Sequence, residues 1–224
     1  MVDLASKKAI ALKPAPLYDK SFASKISTGN LEDDLDKIAT ANWIIEVIVE
    51  RLDIKQQLFE KVDQFRAPKS LVSTNTSSIP IKLLAEGRSK DFIYHFCGTH
   101  FFNPPRYLQL LEIIPTQNTA PQVTDFFMTF GAEILGKKTV LCKDTPAFIA
   151  NRIGVMSGTE MMLLTDELSL SVEAVDAITG SIIGRPNTAT FRLQDLVGLD
   201  VGDKVTKFVQ QSVNGDVYVD KLKT

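Results

Sequence analysis

The chain has 224 residues, 44% of them hydrophobic and 23% charged, with a formal net charge of −2. That balance excludes disorder throughout, and basic residues scattered among acidic ones exclude the electrostatic footprint of a nucleic-acid-binding protein. No apolar run approaches the roughly 20 residues that cross a bilayer. The opening MVDLASKKAIALKP lacks the continuous apolar stretch and small-residue cleavage site of a secretory signal. Cys97 and Cys142 each lie in an apolar stretch without metal-ligand spacing, so buried thiols in a reducing cytoplasm are expected rather than a disulfide.

In chain order, the first forty residues read as helical and polar, with Asn30 placed to cap a helix over Leu31–Ala39. Trp43–Val49 reads as a strand, although Glu46 interrupts its apolar run. Ile54–Phe65 has helical periodicity. Leu71–Thr74, Phe92–Cys97 and Leu108–Ile114 read as strands, Val123–Leu135 as a helix and Thr139–Cys142 as a further strand. Such alternation predicts an α/β fold with a mostly parallel sheet and helices on its faces. Near Asp144-Thr145-Pro146 the pattern changes, and Phe148–Leu164, Val172–Ile178 and Gly202–Val213 are helical. Two domains are therefore expected, residues 1 to about 143 and about 144 to 224, the second all-helical.

A dinucleotide-binding domain opens with a strand and a G-x-G-x-x-G turn, whose backbone N–H groups and helix N-terminus hold the pyrophosphate. None of the twelve glycines here forms a G-x-G. The expectation is a partial doubly wound, Rossmann-like sheet lacking its first strands. In the strand order 3-2-1-4-5-6 that loss removes the middle of the sheet, and NAD binding by this chain alone should be weak.

Chemistry concentrates in Gly98-Thr99-His100-Phe101-Phe102-Asn103-Pro104-Pro105, followed by Leu110-Leu111-Glu112-Ile113-Ile114. Asn75-Thr76-Ser77-Ser78 lies upstream, and Lys143-Asp144-Thr145-Pro146-Ala147-Phe148-Ile149-Ala150-Asn151-Arg152 downstream. In order and spacing these four blocks resemble the 3-hydroxyacyl-CoA dehydrogenase family, over about residues 30 to 210. The segments THFFNPPRYLQLLEIIP and GRPNTATFRLQDLVGLD are similar to the long bacterial members that continue into an enoyl-CoA hydratase domain.

The resemblance implies NAD-dependent oxidation of an L-3-hydroxyacyl-CoA to the 3-ketoacyl-CoA, a step of fatty-acid β-oxidation. His100 matches the catalytic histidine, and Glu112 the carboxylate that orients it. Imidazole titrates near neutrality and can accept the 3-hydroxyl proton as hydride leaves, while a carboxylate stabilises the imidazolium that forms. Ser77 and Asn151 match residues that hydrogen-bond the substrate's oxygen atoms. Glu50, Lys55, Ser77 and Asn103 match contacts to the nicotinamide half of NAD. A homodimer through the helical domain is also implied.

Each residue has a plainer reading. A histidine among phenylalanines is commonly a packed core residue, Asn75–Ser78 suits a turn before a helix at Pro80, and Glu50 and Lys55 suit a solvated helix start. His95, an odd number of residues from His100, would face the other way on a regular strand and is given no role. Where the family commonly has glycine after Thr-Pro, this chain has Ala147, a change that asks only for torsions acceptable to alanine. The absent glycine turn and a helical part shorter than the family's suggest a chain cut at both ends. Two other readings stand beside the enzyme: a noncatalytic dimerising or acyl-CoA-binding remnant, and a sister dehydrogenase acting on a free hydroxy acid.

Overall fold

The computed structural model describes Lys8 and residues 10–213. It divides into two compact units, Met1–Asp144 and Thr145–Thr224. In the first unit the elements are β1 (Trp43–Glu46), α1 (Leu52–Phe65), β2 (Leu71–Thr74), α2 (Ile81–Ala85), α3 (Lys90–Tyr94), β3 (Phe96–Phe101), β4 (Leu110–Pro115), α4 (Pro121–Glu133) and β5 (Lys138–Leu141). The second unit holds α5 (Ala150–Glu167), α6 (Val172–Thr179), α7 (Phe191–Val197) and α8 (Leu199–Ser212).

The strands form one sheet in the order β1-β2-β3-β4-β5, parallel except for the antiparallel pair β3–β4. The expected mostly parallel α/β sheet is present, but it is continuous, with no gap at its centre. The five strands here are mutual neighbours, so β1 lies at an edge of the sheet.

Helices cover both faces. On α1 the buried residues Lys55, Phe59 and Val62 recur at helical spacing, so one stripe meets the sheet. Phe59 packs edge-on against Phe92 and Phe96, at centroid distances of 5.6 and 5.1 Å. Full burial of each such ring contributes about 1.5–3 kcal/mol. On the opposite face, Val123 and Phe127 of α4 join Cys97, Leu111 and Ile113, with Trp43 against them. Gly98 is required where α2 meets β3, because a Cβ there would lie 2.8 Å from Ile81 Cδ1 and 3.0 Å from Ile114 Cβ.

Several local expectations are corrected. Phe92–Tyr94 belongs to helix α3, not to a strand, since the Ser89 hydroxyl accepts the Phe92 N–H and caps the turn. An apolar run this short reads equally as buried helix or strand. His95 is therefore the C-terminal cap of α3, outside β3. Asn30 does accept the Glu32 and Asp33 N–H groups, but over a turn followed by a 3-10 helix at Leu35–Thr40. Helix α7 lies in a stretch read as no element, and Asp176 caps it by accepting the N–H groups of Thr190, Phe191 and Arg192.

Ala147 is the sharpest correction. Its φ is +60° and that of Phe148 +50°, so the alanine occupies left-handed backbone that suits glycine. Burial compensates: Ala147 is fully enclosed with Val209, Val213, Val155 and Phe208 inside the helical unit.

Candidate functional site

The antiparallel register pairs His100 of β3 directly with Glu112 of β4. Residues opposed in such a ladder present their side chains on the same face. The twelve-residue spacing of the sequence thus becomes a hydrogen bond of 2.7 Å between His100 Nδ1 and Glu112 Oε2. His100 is 5% exposed and Glu112 1%. With Nδ1–H donating to the carboxylate, Nε2 is the basic nitrogen. Phe102 packs on the imidazole with ring centroids 4.5 Å apart, holding its orientation.

The loop after β2 is bound to β3 and to the connection between β1 and α1. Asn75 Oδ1 accepts the Phe101 N–H at 2.8 Å, one residue beyond His100. Glu50 Oε1 accepts from the N–H groups of Ser77 and Ser78, at 3.0 and 3.1 Å, and from the hydroxyls of Thr76 and Ser78, at 2.5 and 2.9 Å. Asp144 grips the far end of the segment by accepting the N–H groups of Ile81 and Lys82. The Asn-Thr-Ser-Ser turn is therefore both the structural turn and a rigid mount for Ser77.

Beneath Glu50 lies a charged network in which Lys55, expected as a cofactor contact, is joined to Glu46, to which the sequence reading gave no role. Lys55 is 1% exposed, and its Nζ donates to Glu46 Oε1 at 2.7 Å and to the Ile48 carbonyl at 3.2 Å. It also lies 3.3 Å from Glu50 Oε2. Glu46 Oε1 further accepts the Ile48 N–H at 2.5 Å, and Oε2 the Thr74 hydroxyl at 2.6 Å. A carboxylate inside an apolar strand was the available signal, because a buried charge demands a partner. Burial opposes ionisation of Glu50, yet the hydrogen bonds from Thr76 and Ser78 and the Lys55 ammonium outweigh it and hold its carboxyl below the ordinary 4.5.

Asn103 is exposed in the connection between β3 and β4, and Asn151 is the second residue of α5, in the helical unit. Both cysteines are buried, and burial pushes the Cys97 thiol up, away from its reactive form. Among the described residues no group could hold a metal ion, and no helix is long and apolar enough to cross a membrane.

Glu50, Ser77 and His100 stand at or just beyond the carboxyl ends of the three parallel strands β1, β2 and β3. In open α/β sheets ligands bind outside these ends. A carboxylate, a hydroxyl and a basic imidazole suit an alcohol substrate and the ribose and carboxamide of a nicotinamide.

With this geometry in place, comparison with known proteins is informative. Residues 3–145 match the family model described as 3-hydroxyacyl-CoA dehydrogenase, NAD binding domain, and residues 148–223 match its C-terminal domain. A probable 3-hydroxyacyl-CoA dehydrogenase of Bacillus subtilis is 51% identical over 216 residues, covering 95% of this chain and 27% of the relative. A probable 3-hydroxyacyl-CoA dehydrogenase of Deinococcus radiodurans is 46% identical over 195 residues, covering 87% of this chain and 56% of the relative. The chain thus spans about a quarter and just over half of those two proteins. The crystal structure of (S)-3-hydroxybutyryl-CoA dehydrogenase from Ralstonia eutropha superposes with a TM-score of 0.77 at 25% identity, covering 97% of this chain and 74% of that one.

Proposed function

The chain belongs to the 3-hydroxyacyl-CoA dehydrogenase family, and from that premise we propose that it serves the NAD-dependent oxidation of an L-3-hydroxyacyl-CoA to the 3-ketoacyl-CoA in fatty-acid β-oxidation. The observation that carries this reading is the buried His100–Glu112 pair, 2.7 Å apart on neighbouring strands. NAD, when bound, supplies the hydride acceptor.

The chain's own residues do the rest. Nε2 of His100 takes the proton of the 3-hydroxyl while Nδ1–H stays hydrogen-bonded to Glu112, so the imidazolium forms against a fixed negative charge. Glu112 orients the ring and selects its tautomer. Ser77 and Asn151 hold the substrate's oxygen atoms, which keeps C3 at reacting distance. Glu50 presents its half-exposed carboxylate, and Ser77 its hydroxyl, to the nicotinamide half of NAD, with Asn103 contributing from the β3–β4 connection. Lys55, buried beneath Glu50, acts on the cofactor through that carboxylate.

We read residues 1–143 as the nucleotide-side domain and 144–224 as a dimerising helical domain. Exposed apolar side chains of the helical unit, among them Ile153, Leu163, Ile178 and Leu196, support a homodimer. The burial of both cysteines supports a cytoplasmic setting.

The test is the appearance of reduced nicotinamide when active protein is offered 3-hydroxyacyl-CoA thioesters and the corresponding free 3-hydroxy acids. Turnover of the thioesters alone is expected. Equal turnover of the free acids would point to the sister dehydrogenases and remove the proposal.

A further inference from the structure

We propose that Glu46 is a positioning residue that sets the Ser77 loop through Lys55 and Glu50. The proposal rests on the dehydrogenase reading for the importance of Ser77, and on geometry for the rest.

Glu46 is the last residue of β1, is 3% exposed and reaches three partners on three different segments. Lys55 lies in the first turns of α1, Ile48 in the connection from β1, and Thr74 at the end of β2. A salt bridge alone does not require this many hydrogen bonds. Their effect is to fix the Lys55 ammonium at one point, 2.7 Å from Glu46 and 3.3 Å from Glu50.

Lys55 is shared between two carboxylates of different kinds. Glu46 is enclosed, with its side chain 1% exposed, whereas the side chain of Glu50 is 37% exposed and bound to Thr76, Ser77 and Ser78. If Glu46 were neutral, Lys55 would turn wholly toward Glu50. The Glu50 carboxylate would then be drawn off the Ser77 and Ser78 N–H groups, and the loop would lose the anchor that sets the Ser77 hydroxyl. Because a misplacement of about 1 Å can cost about 10²-fold in rate, this is a lever on catalysis by a residue that touches no reactant.

The experiment compares the full chain with its Glu46→Gln variant by site-resolved amide hydrogen exchange. Exchange at Ser77 and Ser78 is expected to accelerate about tenfold or more, while exchange along the β3–β4 ladder around His100 and Glu112 stays as it was. In active protein kcat should fall about 10–100-fold. Should Glu46→Gln not fold, the milder Thr74→Val removes one of the hydrogen bonds that hold the Glu46 carboxylate and is expected to accelerate the same two amides to a smaller extent. Unchanged exchange at Ser77 and Ser78, a uniform acceleration across the sheet, or failure of both variants to fold would each overturn the proposal. If the unsubstituted protein oxidises no acyl-CoA thioester, the dehydrogenase reading fails by itself, and the exchange data still decide what Glu46 does.

Discussion

Two buried ion-pairing sites in the first unit, His100 with Glu112 and Lys55 with Glu46, have contacts of the same length, 2.7 Å, in different structural settings. The first joins opposed residues of a rigid antiparallel ladder and contains an imidazole, a group able both to accept and to donate a proton. The second joins a strand end, a helix and the connection between them, and contains a lysine and a carboxylate. On the reading proposed above, one site moves a proton and the other holds a loop still. Burial strengthens both, because a low-dielectric setting raises the value of a pair and the penalty of an unpaired member.

This contrast predicts different failures. His100→Ala should lower kcat by about 10²–10⁴ in active protein while leaving the fold in place, as expected for losing a positioned general base. Steady-state kinetics with thermal unfolding as a control would show it, and an unchanged kcat would erase the distinction between the sites. Lys55→Met should do the reverse and reduce stability directly, by about 3–5 kcal/mol, because Glu46 is left buried without its cation. Denaturant unfolding measures this, and a variant as stable as the parent would mean that Glu46 finds another partner.

A smaller effect belongs to Glu50, whose folded-state carboxyl lies below the ordinary 4.5. A depressed carboxyl contributes stability that is present above the unfolded value and is lost as pH falls through the folded value. The acid end of the stability profile should therefore be shallower in Glu50→Gln. The change should be modest, because more than a third of the side chain meets solvent. Parallel profiles for the two proteins would deny Glu50 its role as the loop's anchor.

Ala147→Gly should have the smallest effect. Relief of left-handed backbone favours glycine by about 1–2 kcal/mol, and removal of the buried methyl opposes it by about 0.8 kcal/mol. A net stabilisation below about 1 kcal/mol is the expected outcome of equilibrium unfolding. A marked loss would show that packing against Val209 and Val213 dominates at this position.

Much of this was legible in the sequence. The helix over Ile54–Phe65 and the strand Leu71–Thr74 follow from local periodicity, which the chain carries wherever it folds, whereas the burial of Lys55 does not, and its reading as a solvated helix start is corrected. The pairing of His100 with Glu112 was legible through resemblance, since four ordered blocks named both residues and their partnership before the register showed them bonded. Glu46 was visible as an anomaly in an apolar strand, but without its partner it named no function.

What the amino-acid order determined by itself is therefore the identity and spacing of the reactive groups, and which face of each helix is apolar. Tertiary structure decided the rest. Strand register brought His100 Nδ1 to Glu112, and the crossover through α1 brought Lys55 between Glu46 and Glu50. Packing of the helical unit enclosed Ala147 despite its positive φ. The physical reason is range: periodicity and capping depend on residues a few positions apart, whereas a hydrogen-bond partner in a sheet is chosen by pairing between segments that only folding makes adjacent.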